Sequence, residues 1–70
     1  MKIINEGKPI QRLTWPDDSY IEVGGALGAN SIEPYEEYGE MAPVTWFRVY
    51  FSDGRQINYN SKYICAVHFQ

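Results

Sequence analysis

A chain of 70 residues forms one domain with a thin core, because so short a chain buries only about 60–65% of the surface that its unfolded form exposes. Its net charge of −3 excludes the basic footprint that duplex nucleic acid requires, and its single cysteine and single histidine exclude an internal disulfide and a Cys/His metal site. No stretch reaches the ~20 apolar residues of a membrane span, and the first residues are too short an apolar run for a signal peptide. We therefore expect a cytoplasmic protein without a metal, a cofactor or a membrane anchor.

Runs of β-branched and aromatic residues, separated by turn residues, predict six short strands. Their ranges are 2–5, 9–15, 20–23, 44–51, 56–60 and 63–69. Strands of this length predict an all-β protein, in which an antiparallel sheet of five or six strands is rolled into an open barrel or a two-layer sandwich. We treat residues 1–70 as one compact domain.

Residues 24–43 interrupt this pattern with a long acidic loop rich in glycine and tyrosine. Such long loops in compact domains are usually functional, locally helical or mobile. Ser31 is a suitable cap for a short helix over 32–38, since Pro34 is tolerated in a first helical turn and Gly39 would end it. The sequence leaves this helix and an irregular loop equally open.

Asp53-Gly54 between two strand-like runs is a strong signal for a β-hairpin. A two-residue loop would mix polar and apolar side chains on both faces. A three-residue loop over 52–54, a type I turn with Gly54 in the left-handed conformation, instead gives one apolar face. The residues facing each other on it are then Phe47 with Tyr59 and Val49 with Ile57.

The opposite face of this hairpin carries the row Trp46, Arg48 and Tyr50. Such residues are enriched at the hot spots of protein interfaces, which favours protein contact. An alternative is the stacking of single-stranded bases on the aromatic rings and the guanidinium. A further alternative is structural, with the loop 24–43 or the N-terminal strands covering this row as a second core layer.

The loop 24–43 is the electrostatic outlier, because residues 31–43 carry a charge of −4 with no Lys or Arg. Acids alternate with tyrosines here, and the residues concerned are Glu33, Tyr35, Glu36, Glu37, Tyr38 and Glu40. Fixed carboxylates in such a loop can attract a basic partner protein and accelerate its association. The alternative is a solvated loop whose charge maintains solubility.

Four residues at the start of this loop are candidates for holding a small anionic ligand such as a nucleotide: Gly24, Gly25, Gly28 and Asn30. Their spacing matches neither the dinucleotide fingerprint nor the phosphate-binding loop of nucleotide hydrolases, and no confident helix follows them directly. A tight turn is therefore the simpler interpretation.

The sequence contains no convincing catalytic group. Cys65 and His68 lie on opposite faces of the last predicted strand, where Tyr63, Cys65, Val67 and Phe69 form the expected core face. We expect Cys65 to be buried and His68 to be solvated or to face a partner. The adjacent carboxylates at 17–18 and 36–37 lack a sign of the unequal environments that acid-base catalysis needs. We therefore expect no enzyme.

Small size, acidity, many aromatic residues and the lack of catalytic groups give the chain a general resemblance to the short accessory proteins of phages and mobile elements. This resemblance implies a module that binds and inhibits a host protein. The alternatives are a nucleotide-like ligand at residues 24–30 and a single-stranded nucleic acid on the Trp46 row. A homodimer, formed through an edge near Pro9 or through the last strand, is also open.

Overall fold

The structure of the protein, a computed structural model, describes residues 8–70. The strand predicted at 2–5 lies outside these residues. The elements in chain order are β1 (Ile10–Thr14), β2 (Tyr20–Glu22), β3 (Ala29–Glu37), β4 (Val44–Phe51), β5 (Gln56–Asn60), a 3-10 turn (Ser61–Tyr63) and β6 (Ala66–Phe69). They form two three-stranded antiparallel sheets with strand orders β2-β1-β6 and β3-β4-β5. The predicted all-β class is confirmed, without a closed barrel.

The two sheets share one hydrophobic core. On β4 the side chains alternate, and both Phe47 and Val49 are 0% exposed at its centre. The first sheet contributes Ile10, Leu13 and Ile21 to the same cluster, and Ala29, Ile32 and Phe51 complete it. Because one face of β4 is fully buried, a slip of its register by one residue would turn this face towards water.

The hairpin formed by β4 and β5 has the predicted three-residue loop. Phe47 lies opposite Tyr59, and Val49 lies opposite Ile57. The Phe51 amide donates to the Arg55 carbonyl at 2.9 Å, and Gly54, at φ +91°, donates to the Phe51 carbonyl at 3.0 Å. This register places the Trp46 row on the face away from the core.

The predictions for residues 24–43 were wrong in one important respect. Residues 29–37 form neither a helix nor a loop but the longest strand, β3, which runs antiparallel to β4 along its free side. The Phe51 amide points at β5, and in an antiparallel ladder successive residues point to opposite sides. The β4 residues that pair with Ser31, Glu33 and Tyr35 therefore point at β3, and these three residues direct their amides to β4. The nitrogen of Pro34 consequently points away from β4. Pro34 therefore breaks no hydrogen bond of the sheet, as expected for proline in an edge strand.

The prediction for the last strand was wrong for its first three residues, which precede β6. Tyr63 is 57% exposed and Cys65 is also exposed, whereas Ile64 packs against the core. The cause is the 3-10 turn, whose start is capped by Asn60 accepting a hydrogen bond from the Lys62 amide at 3.0 Å. The turn ends the β alternation, which resumes only at β6. Its Val67 and Phe69 pack on the core and His68 is exposed, as predicted.

Candidate functional site

The sheet β3-β4-β5 presents a polar and aromatic surface on the side away from the core. Cross-strand register places Glu33 opposite Arg48, Tyr35 opposite Trp46 and Ser31 opposite Tyr50. On the other side of β4, Asn58 lies opposite Arg48 and Asn60 opposite Trp46. We call this surface the outer face, and its members are Ser31, Glu33, Tyr35, Glu37, Trp46, Arg48, Tyr50, Asn58 and Asn60.

Arg48 occupies the centre of the outer face. Its guanidinium carbon lies 4.4 Å from the centre of the Tyr35 ring, in a cation–π contact. Hydrogen bonding to Tyr50 raises the pKa of Arg48 above its usual value, against an opposing effect of desolvation. The Nε of Arg48 and the Nε1 of Trp46 are shielded from solvent and donate no hydrogen bond in the structure. Arg48 is thus a positive charge packed on the Tyr35 ring and hydrogen-bonded to Tyr50 at the centre of this face.

β3 places acidic residues of the segment 31–43 beside the Trp46 row. Glu33 and Glu37 lie on the outer face, and both are exposed. Tyr38 follows the strand, and its hydroxyl donates to Glu36 at 2.6 Å, which raises the pKa of Tyr38. Glu40 is exposed in the connection to β4. Because residues 29–37 extend the sheet instead of crossing it, they do not cover the Trp46 row, whose side chains remain half-buried.

The glycines at the start of the same segment form a hydrogen-bonded turn. The amide of Gly24 donates to Ala29 at 2.9 Å, that of Gly25 to Glu22 at 3.0 Å, and that of Gly28 to Gly25 at 3.1 Å. Amides that already donate to carbonyls of the chain are not free to hold an anion. Asn30 lies apart from this turn, as an exposed residue of β3. Of the four residues predicted for an anionic ligand, the geometry therefore leaves only the Asn30 side chain available.

The structure also contains a surface pocket that the sequence did not indicate. It has a volume near 230 Å³ and opens between the turn that follows β1, strand β2 and strand β5. We call it the aromatic pocket, and it is lined by Trp15, Ser19, Tyr20, Ile21, Leu27 and Tyr59. The rings of Trp15 and Tyr59 meet edge to face at 5.1 Å between centres. Tyr59 is far from the other lining residues in sequence, and the local sign was Leu27, an apolar residue within a glycine-rich turn.

The groups with catalytic potential are not assembled into a site. Cys65 and His68 are both exposed, on separate positions near the C-terminus. Among residues 8–70, no three His, Cys, Asp or Glu side chains are placed to hold a metal ion. Nor does this part of the chain contain a helix with the length and apolarity needed to cross a membrane.

Comparison with known proteins assigns no family: no family model, no curated protein and no solved structure matches the chain significantly.

Proposed function

We propose that the protein is a non-enzymatic interaction module whose outer face binds a partner protein with a basic surface. The observation that carries this proposal is the register between β3 and β4, which puts Glu33 and Tyr35 beside Arg48 and Trp46. Trp, Tyr and Arg are the residues that most often dominate binding energy at protein interfaces. Here they stand together on one face of a three-stranded sheet, where Arg48 already packs on Tyr35, so part of the side-chain order needed for binding is present beforehand.

The charge around these residues favours a basic partner. The four glutamates of the segment 31–43 are all exposed, and the segment contains no Lys or Arg. Such a field accelerates the approach of a positive surface and repels the phosphates of a nucleic acid. Arg48 is a single positive charge that already stacks on Tyr35, so it supplies little neutralisation of a phosphate backbone. A protein partner therefore fits the outer face better than a single-stranded nucleic acid.

We place this interaction in the cytoplasm and propose that it inhibits the protein bound. The support is the combination of small size, acidity and a binding face without catalytic groups, which resembles the accessory proteins of phages and mobile elements. A module of this kind acts by covering a functional surface of its host target. Carboxylates along β3 would occupy the positions that an acidic or phosphate-bearing ligand of the target normally takes.

The experiment is a pull-down from bacterial lysate at low and moderate salt, with mass spectrometry of the retained proteins. Trp46→Ala should lose the specific partner, and Tyr63→Ala, which removes an exposed aromatic side chain outside the outer face, should retain it. With the purified partner, Trp46→Ala should weaken binding at least about 30-fold, as for a hot-spot residue.

Charge variants test the electrostatic part of the proposal. The pair Glu33→Gln and Glu37→Gln should slow association and reduce its dependence on salt. The pair Ser52→Lys and Gln70→Lys changes the net charge equally at exposed positions away from the outer face, and it should leave association nearly unchanged. A partner held equally well by Trp46→Ala would refute the proposed face. Retention of oligonucleotides, or a thermal shift with nucleotides, would replace the proposal by one of the two alternative functions.

A further inference from the structure

The aromatic pocket is formed where the two sheets meet. Its floor is Ile21, which is buried, and the edge-to-face pair of Trp15 and Tyr59. Its walls are Tyr20 and Leu27, which are 53% and 59% exposed. A second, smaller depression of about 170 Å³ continues from the same two residues past Gly25. The result is a short groove open to solvent, apolar at the aromatic pocket and bordered by Glu22 beyond it, on residues that the outer face does not use.

The size of the pocket suits one side chain of a protein. Its volume is near 230 Å³, whereas pockets for drug-sized ligands begin at about 300 Å³. A cavity of about 150 Å³ is enough for a benzene molecule. The aromatic pocket therefore has room for one aliphatic or aromatic side chain.

The charge beside the pocket is negative. Arg12 is paired with Glu22 and Arg55 with Asp53, each at 2.6 Å, so both nearby arginines are already compensated. The turn that starts at Trp15 and ends at Ser19 carries two further acids, Asp17 and Asp18, both exposed. Hydrogen bonds from Ser19 lower the pKa of Asp17, which keeps this carboxylate charged.

We propose that the aromatic pocket binds an aliphatic side chain of a basic, extended segment in a partner protein. The apolar floor and walls receive the aliphatic side chain, and the acids of the 15–19 turn attract the flanking Lys or Arg residues. A second copy of this chain is the wrong occupant, because it would bring two acidic turns together without compensating charge. This second surface does not depend on the proposed role of the outer face.

The test uses a labelled peptide, Gly-Lys-Arg-Leu-Arg-Lys-Gly, and the same peptide with alanine in place of leucine. Binding is measured by fluorescence anisotropy on the full chain. The leucine peptide should bind about 10-fold more tightly, because burial of its extra methyl and methylene groups is partial in an open pocket. Leu27→Ser should remove this preference. Met41→Ser, which removes an apolar side chain that is 86% exposed and lies outside the pocket, should keep it.

Two further variants separate the electrostatic contribution of the 15–19 turn from any binding of the peptide to the outer face. Asp18→Asn keeps a residue that tolerates the positive φ of this position and should weaken both peptides about two- to fivefold, less so at high salt. Trp46→Ala should leave the preference for the leucine peptide unchanged, which distinguishes this surface from the outer face. Equal affinities for the two peptides, or full binding by Leu27→Ser, would overturn the proposal. So would sedimentation showing a wild-type dimer that Leu27→Ser converts to a monomer, because the pocket would then be covered by a second copy.

Discussion

Replacing Gly28 by alanine tests the packing of the glycine turn against the hairpin loop. Gly28 has φ +79°, and an added Cβ would lie 2.9 Å from the Ser52 Oγ. The left-handed conformation costs an alanine about 1–2 kcal/mol. Crowding adds about 1 kcal/mol, the low end for overpacking, because the serine hydroxyl can rotate. Gly28→Ala should therefore destabilise the chain by about 2–3 kcal/mol, a large part of the roughly 4–10 kcal/mol expected for its total stability.

Gly54→Ala is the matched control, since Gly54 also has a positive φ, +91°, but nothing lies within 4 Å of its added Cβ. It should cost only the conformational part, about 1–2 kcal/mol. Ser52→Ala removes the atom that Gly28→Ala would crowd. In that background Gly28→Ala should destabilise the protein by no more than Gly54→Ala does.

The assay is urea unfolding followed by tryptophan fluorescence, with the free energy of unfolding obtained by linear extrapolation. The reasoning is refuted if Gly28→Ala destabilises less than Gly54→Ala, or if removing the Ser52 hydroxyl relieves nothing. If Gly28→Ala were as stable as wild type, the fold would not require glycine at this position. A role of Gly28 in binding a ligand would then have to be considered again.

Two other substitutions test the core and the seam between the sheets. Phe47→Ala should cost about 3–5 kcal/mol and leave little folded protein by circular dichroism, whereas Tyr63→Ala, at an exposed position, should stay within about 0.5 kcal/mol of wild type. Burial raises the pKa of Tyr59, partly offset by the charge of Arg55. Because the pKa of Tyr59 is higher in the folded protein than in the unfolded chain, its contribution to the free energy of unfolding is complete below the usual tyrosine pKa of about 10. This contribution is lost as the pH rises through the raised pKa of the folded protein. Urea titrations across this range should show a shallower decline for Tyr59→Phe, and an identical decline would contradict the assignment.

The hairpin could be predicted from sequence because its determinants are local. Asp53-Gly54 fixes the type of turn, and the alternation along β4 permits only one register with a continuous apolar face. Both predicted strands have the observed bounds, 44–51 and 56–60. The assignment of Trp46, Arg48 and Tyr50 to the face away from the core followed directly.

β3 was missed because its residues lack the usual preferences of a strand. Pro34, three glutamates and the nearby Gly39 are typical of a capped helix or a loop. They are tolerated in β3 because it is an edge strand whose acidic side chains are solvated. That environment depends on the pairing with β4, which local propensity does not describe. The proximity of Glu33 and Tyr35 to the Trp46 row was unpredictable for the same reason.

The aromatic pocket depends on packing between distant segments, and the late start of the last strand depends on a weak local signal. Trp15 and Tyr59 are separated by most of the chain, and only the meeting of the two sheets brings their rings together. The 3-10 turn depends on Asn60 as a cap, a weak signal within a run that otherwise resembles a strand. The sequence therefore predicted the outer face in part and the aromatic pocket not at all.

The position of Pro34 also limits how far molecules of this protein can join sheet to sheet. A filament grows only if each added molecule offers a fresh edge at its far side. The outer edge of β5 directs the amides of Gln56, Asn58 and Asn60 outward and carries neither proline nor charge, so it can receive a second β5. Both ends of such a pair would be β3 edges, where Pro34 lacks a donor and the glutamates repel each other. Growth through this sheet therefore terminates at two molecules.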